Sequence, residues 1–292
     1  MIAKENFYLL LATFFWALGL IVGKFCSAEI PALTLTCLRY FIAGIGITII
    51  YYPKKKEMKI DKKDLPYIIG LTFLGVVLNG VFFFMGIKIT SSVNTAIISS
   101  TTPMIVCILG FIFFKEKVTK RNILSVLMSV LGILFLLVNG NLSQLLNINF
   151  NRGDLIILGA VTSNGIYIIG SKKMLKKYEI EKLLAYVFLI TSFILSPALI
   201  FEKELYIISQ ISSKAILSLL YMAIFSSLLA FLLQQKGIKK LGPIKAAVYT
   251  NLIPIYSIIL SSLILREQIT FIQIISMCFV ILAIKINLKD KM

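Results

Sequence analysis

The sequence predicts an all-α integral membrane protein whose ten transmembrane helices form two inverted five-helix repeats. Three observations carry that expectation. The first is composition: of 292 residues, 59% are hydrophobic and only 15% charged, histidine is absent, and mean hydropathy is +0.94. A soluble domain of this length needs far more polar surface to cover its core. The second is the placement of the charges. They sit in short islands between apolar runs of roughly 17–23 residues, about the length that crosses a bilayer as a helix. The third is a repetition: "KEKVT" at 115–119 is answered 151 positions later by "REQIT" at 266–270, each with a proline twelve residues before its charges.

The apolar runs place ten spans at roughly 7–25, 33–52, 65–86, 93–114, 122–139, 153–171, 183–201, 215–235, 243–265 and 269–286. Continuous runs without sustained alternation mean helices rather than a β-barrel. The first run has one lysine before it, no A-x-A-like site after it and nine more spans behind it, so it reads as a helix and not as a cleaved signal. "GKFC" at 23–26 makes a poor lipoprotein site, because Lys24 and Phe25 stand where small residues are expected.

Orientation follows from the basic residues. If the N-terminus is cytoplasmic, ten spans return the C-terminus to the same side, and 22 of the 30 lysines and arginines fall in cytoplasmic segments against 5 outside. The loops are short enough for the positive-inside rule, so both termini are expected in the cytoplasm of a cell whose cytoplasmic membrane holds the protein. The net charge of +17 is then a matter of topology and anionic lipid, and nucleic acid is not implied. The four cysteines, Cys26, Cys37, Cys107 and Cys278, lie in or beside apolar runs without metal-ligand spacing and read as small buried hydrophobes. No cofactor or metal is implied.

A shift of 151 lays Gly86 on Gly237, Lys88 on Lys239, Ala96 on Ala247, Pro103 on Pro254, Lys115 on Arg266, Glu116 on Glu267 and Thr119 on Thr270, without a gap. The period divides the chain into residues 1–140 and 153–292, five spans each. Five is odd, so the second copy enters the membrane upside down. Inverted repeats of this kind are the signature of transporters, whose solute site lies near the midplane between the halves.

The chain resembles the EamA-type members of the drug/metabolite transporter superfamily over essentially its whole length. The resemblance is carried by "FFWALGLIVGKFC" (14–26), "PALTLTCLRYFIAG" (31–44), "NTAIISSTTPMIVCILGFIFFKEKVT" (94–119) and "KAAVYTNLIPIYSIILSSLILREQIT" (245–270). It implies ten helices in two inverted repeats, cytoplasmic termini and transport of a small molecule, and it contributes the efflux direction. Its motifs specify the superfamily and not the solute. One departure is the sixth span, where Ser163 and Asn164 stand where a second tryptophan is often found.

Candidate site residues come from the middle of the spans. Pro103 and Pro254 each remove a helix hydrogen bond and free the carbonyl four residues earlier, at Ser99 and Thr250. Polar stretches precede them: "SSTT", with Ser99 and Thr102, and "YTN", with Tyr249, Thr250 and Asn251. These groups either line a central cavity, or bond back to their own helices while the prolines only shape packing. Symmetric recurrence at the midplane favours the cavity. Trp16, Asn79, Asn164 and Tyr167 lie at similar depth, as pocket lining or as interface anchor and interhelical glue. Gly19 and Gly23 form a G-x-x-x-G packing face. No Asp or Glu is expected within a span, so the usual proton relay has no candidate. Arg39, about 9 Å into the second span at 1.5 Å per residue, needs a partner. Backbone carbonyls, Glu29 and a substrate anion are the alternatives.

The function expected is alternating-access transport of small amphipathic metabolites, amino-acid-like, by a facilitator or exchanger. A lipophilic-cation exporter is disfavoured by the missing intramembrane acid, and a non-transporting scaffold stays as the alternative outside transport. An intramembrane enzyme would need a nucleophile, acid pair or metal site in the spans. The partners implied are a small-molecule solute and the lipid bilayer, with monomer and homodimer both open.

Overall fold

A computed structural model describes residues 4–52, 59–90, 92–137, 151–202, 211–265 and 269–288. Among these the chain is helical throughout its long elements: α1 Lys4–Ser27, α2 Ala32–Tyr51, α3 Leu65–Ile87, α4 Asn94–Phe114, α5 Lys120–Leu137, α6 Arg152–Leu175, α7 Ile180–Phe201, α8 Ser213–Leu241, α9 Pro243–Leu260 and α10 Phe271–Leu288. Nine of them are long and apolar enough to cross a membrane, and α5, which lies along α10, completes the ten. The main departure from the expected spans is α8, which runs on to Leu241 through "KGIKKL".

The doubled "KEKVT"/"REQIT" ending now has a local cause. Thr119 and Thr270 each cap the last helix of their half. The Thr119 amide donates to Asn122 Oδ1 and the Asn122 amide to Thr119 Oγ1, both at 3.1 Å. At the equivalent positions the Thr270 amide donates to Gln273 Oε1 at 2.9 Å and the Gln273 amide to Thr270 Oγ1 at 3.3 Å. This reciprocal box satisfies helix-end donors that have no intrahelical partner. Glu116 pairs with Lys172 of α6 at 2.5 Å, whereas Arg266 and Glu267 lie outside the described residues. Between α8 and α9 the chain turns through Gly242 at φ 88°, a conformation that favours glycine, followed by Pro243 in the first turn of α9.

The helices pack across the repeats. α1 lies against α8 and α9, and α6 against α3 and α4; α2 pairs with α7, and α5 with α10. Replacing each helix by its counterpart five places on leaves this set unchanged, as a pseudo-two-fold axis requires. Two bundles result, α1/α8/α9 and α6/α3/α4, each built from one helix of one half and two of the other. Small residues allow the close approach, since lipid supplies no hydrophobic drive between helices. A Cβ on Gly86 would strike Ile157 of α6, and one on its counterpart Gly237 would strike Leu9 of α1. The regular helix is also relaxed at matching places: α3 carries a π-helical segment at Phe73–Val77 and α8 one at Met222–Leu229. Such segments are rare and recur at functional sites.

Among the described residues the two bundles meet along one half of their length, from the axis to one end. Thr102–Phe114 of α4 meets Pro243–Val248 of α9, and Ala230–Leu241 of α8 meets α6. This is the end at which Asn122 Nδ2 of α5 donates to Asn287 Oδ1 near the close of α10, at 3.3 Å. Toward the other end Ser92–Ser100 and Leu252–Leu265 diverge.

The expectation that no acid lies within a span fails at Asp154, which is 3% exposed in the first turn of α6. Its carboxylate accepts from the Asn151 amide at 2.7 Å, from Asn94 Nδ2 at 3.1 Å and from the Thr90 hydroxyl. A helix N-terminus favours negative charge, and these donors replace the lost water. Asp154 therefore serves as a cap that ties α6 to the α3–α4 connection.

Candidate functional site

Where the two bundles meet beside α2 and α7, five aromatic rings from five helices converge. Phe231 of α8 is the hub. Its ring centroid lies 5.8 Å from Trp16 of α1, 6.1 Å from Tyr40 of α2, 6.1 Å from Tyr167 of α6 and 5.6 Å from Phe188 of α7. Tyr40 and Phe188 are themselves 5.4 Å apart. Three of the four contacts to Phe231 are edge-on, the geometry that ring quadrupoles favour.

Trp16 and Tyr167 are counterparts under the shift of 151, and the structure places both against the π-helical segments. Trp16 Nε1 donates to the Ser226 carbonyl at 2.9 Å, while Ser226 Oγ donates to the Phe15 carbonyl at 3.2 Å. Tyr167 packs on Gly75, the counterpart of Ser226; a Cβ there would lie 2.6 Å from Tyr167 Cβ. The tryptophan missing from 163–164 in the sixth span thus has an aromatic stand-in one turn further on.

Arg39 has no ion pair among the described residues. Its Nη2 donates to Tyr40 Oη at 3.3 Å, and its guanidinium carbon sits 4.9 Å from the centre of the Tyr40 ring. Arg39 Nε is buried without a hydrogen-bond partner. The loop acid expected to pair with it is engaged elsewhere: Glu29 accepts from the amide and the hydroxyl of Ser212, both at 2.7 Å. Glu202 is likewise occupied, capping α2 through the Thr34 amide at 2.8 Å and the Thr34 hydroxyl at 2.7 Å.

Other helices around the ring cluster carry more buried polar atoms without partners. Tyr167 Oη is buried without a hydrogen-bond partner, and so are both side-chain polar atoms of Gln235, a residue with no exposed surface. Ser227 Oγ in the π-helical part of α8 and Thr72 Oγ1 just before that of α3 are also buried and unpaired. Buried polar groups in native proteins are nearly always hydrogen-bonded, so such a concentration calls for an explanation.

The remaining candidates fall into two groups. Asn79 Nδ2 donates to the Ala160 carbonyl at 2.9 Å, joining α3 to α6. Asn164 is half-buried and makes no hydrogen bond among the described residues. Around the prolines the hydroxyls bond back: Thr102 Oγ1 donates to the Ser99 carbonyl and Thr250 Oγ1 to the Ala247 carbonyl, each at 2.7 Å. The Ser99 carbonyl freed by Pro103 is therefore satisfied within α4, which is interrupted at Thr101. Before Pro254, α9 passes through a single 3-10 turn, Tyr249–Asn251. Asn251 is buried and bridges α4 and α5, and Tyr249 Oη is buried and unpaired.

Sequence reasoning passed over Phe231, Phe188, Tyr40 and Gln235. Only Gln235 left a local signal, the pair "QQ" at 234–235 closing an apolar run. The aromatic residues are three among 33 phenylalanines and tyrosines, and nothing local sets them apart.

Comparison with known proteins agrees with this architecture. The model of the EamA-like transporter family matches residues 3–138 and again 151–288. The uncharacterized transporter YetK of Bacillus subtilis (strain 168) is 26% identical over 274 residues, which cover 94% of this chain and 83% of that protein. The uncharacterized transporter YyaM of the same organism is 27% identical over 238 residues, 82% of this chain and 77% of that one. An uncharacterized transporter of Archaeoglobus fulgidus is 25% identical across 99% of this chain and all of its own length. One solved crystal structure superposes with a TM-score of 0.80 over 98% of both chains at 15% identity, a likeness of fold.

Proposed function

The chain belongs to the EamA-like transporter family, and from that premise we propose that it carries small amphipathic organic metabolites, amino-acid-like in size and polarity, out of the cell by alternating access. The observation that supports this reading is the set of unpaired buried polar atoms on Arg39, Tyr167 and Gln235 beside the ring cluster of Phe231. An unsatisfied buried donor or acceptor costs about 1–3 kcal/mol. A polar solute with an apolar body would satisfy these atoms and lie against Trp16, Tyr40 and Phe188.

Movement would come from the bundles α1/α8/α9 and α6/α3/α4, rocking about their shared axis. With both termini in the cytoplasmic compartment, as the basic residues favour, the end where the bundles meet is cytoplasmic and the divergent end faces outward. The geometry described is then closed on the cytoplasmic side. In the absence of an intramembrane acid free to relay protons, the carrier works as a facilitator or exchanger, and the efflux direction rests on the family resemblance.

The deciding experiment is flux of a labelled amino-acid and metabolite panel in proteoliposomes, with and without a pH gradient. Saturable flux of one class that ignores the gradient is expected. Flux that tracks the proton gradient would sink the facilitator mechanism, and no flux for any compound would sink the transport reading.

A further inference from the structure

Resting on that reading, we propose that the transported solute carries a carboxylate, that Arg39 receives it, and that Gln235 with Tyr167 holds a second polar group of the same molecule. Two observations on Arg39 carry the first part. Arg39 has no acid paired to it among the described residues, and Glu29 and Glu202, the acids about the start of α2, are held by other donors. Its guanidinium carbon lies 4.9 Å from the centre of the Tyr40 ring, and its Nε is buried and unpaired. A planar fork of this kind matches a carboxylate in a bidentate way, and such charge-assisted pairs are about twice as strong as neutral ones.

The chain of polar groups continues from there. Arg39 Nη2 reaches Tyr40 Oη, and the Tyr40 and Tyr167 rings both pack on Phe231. Gln235 stands one helical turn beyond Phe231, so the hub ring separates the two polar ends on the α8 side. The site therefore presents a cation, an aromatic wall and then a neutral amide offering both a donor and an acceptor. A zwitterion or a hydroxy acid fits that order. A lipophilic cation does not, because its charge would meet Arg39 with no acid to offset it.

The test compares three matched compounds in proteoliposomes holding the wild-type chain: an α-amino acid, its carboxamide and its decarboxylated amine. The acid should move, and the two analogues should show kcat/KM at least about ten-fold lower, the loss expected when one charge-assisted pair is removed. Equal flux of acid and carboxamide would overturn the proposal while leaving the transport reading intact. Failure of all three compounds, when other solutes of the panel do move, would overturn it too. Failure of every solute would remove the transport reading and this proposal together. Arg39→Gln should raise KM for the acid about ten-fold and abolish the preference for acid over carboxamide, with the thermal midpoint of the solubilised protein unchanged. An Arg39→Gln variant that folds and keeps the wild-type preference would also overturn it. Arg39→Lys should recover part of the preference, since the charge remains and the fork does not.

Discussion

Asn251 donates its Nδ2 to the backbone carbonyl of Ser100 at 3.2 Å, and Ser100 is the residue 151 positions earlier, its own counterpart in the first repeat. Two equivalent residues can touch only where the pseudo-two-fold axis passes between them. The contact joins α4 of one bundle to α9 of the other. The same amide also reaches Ser129 Oγ of α5 at 3.0 Å. The breaks in both helices, at Thr101 and at Tyr249–Asn251, lie beside it. The irregular backbone before the two prolines is thus what brings the halves together at their axis.

Asn251 and Asn164 should therefore behave differently when shortened. Asn251→Ala leaves a buried carbonyl and a hydroxyl without their donor, and stability should fall by about 1–3 kcal/mol. Asn164→Ala removes an amide with no protein partner among the described residues, so stability should hold within about 0.5 kcal/mol while KM for the solute rises. Thermal midpoints in detergent and transport kinetics of both variants check this. A stable Asn251→Ala protein would mean the axis contact adds nothing.

Two glycines five residues apart on α3 give a sharper pair. At Gly75 a Cβ would lie 2.6 Å from Tyr167 Cβ and 3.0 Å from its Cα and amide nitrogen, and that backbone cannot step aside. Gly75→Ala should cost about 1–3 kcal/mol and disturb the ring cluster around Phe231. At Gly70 nothing lies within 4 Å, so Gly70→Ala should be neutral or stabilising by up to about 1 kcal/mol. Unfolding midpoints measured side by side should fall for Gly75→Ala and hold or rise for Gly70→Ala.

Much of this fold was legible because membrane helices are set by local composition. Apolar length placed the spans, and the doubled Lys/Arg–Glu–x–x–Thr ending revealed the repeat whose threonines prove to be helix caps. Trp16 and Tyr167 were readable as mid-span residues, but their equivalence was hidden by the difference in side chain. Gln235, Tyr40, Phe188 and Phe231 were illegible for another reason. They converge from α2, α7 and α8 only after the swapped packing of the bundles, which depends on contacts far apart in the chain. Asp154 was passed over because it stands at the very start of its apolar run, where a carboxylate reads as part of the loop, and the donors that hold it there, Thr90 and Asn94, come from another helix pair.

The matched caps allow a test of the repeat itself. Thr119→Ala and Thr270→Ala remove the same hydroxyl from the same box, and each should cost about 0.5–2 kcal/mol. Thr119→Ser and Thr270→Ser should restore most of it, since serine keeps the acceptor oxygen. Thermal unfolding of the four variants should show the same order in both halves. A loss in one half alone would mean that the second box is made in name only.

The end where the bundles meet is tied by a small ionic cluster with a defined pH window. Lys177 contacts Asp61 at 2.6 Å and also pairs with Asp64, and Tyr178 Oη donates to Asp64 at 2.5 Å. Hydrogen bonds from Lys177 hold both carboxyls below their ordinary value of 3.8, with Tyr178 adding to the effect at Asp64. The same bonds hold the Lys177 ammonium above its ordinary 10.5. A carboxyl lowered by folding contributes in full above its ordinary value and loses that contribution as pH falls through the lowered one. A lysine raised by folding contributes in full below its ordinary value and loses that contribution only as pH climbs through the raised one. The tie between the α2–α3 connection and the α6–α7 turn should therefore be constant from about pH 5 to about pH 9 and loosen only in stronger acid or base. A single cysteine introduced at Ile60, in a background without the four native cysteines, reports on it through its labelling rate divided by that of a free thiol at the same pH, which cancels the rise of thiolate with pH. The rate should be flat across that window for the wild-type cluster and higher throughout for Lys177→Gln. These groups are exposed, so added salt should weaken the tie as well. A labelling rate that changed near neutral pH would place control of this end with some other titrating group.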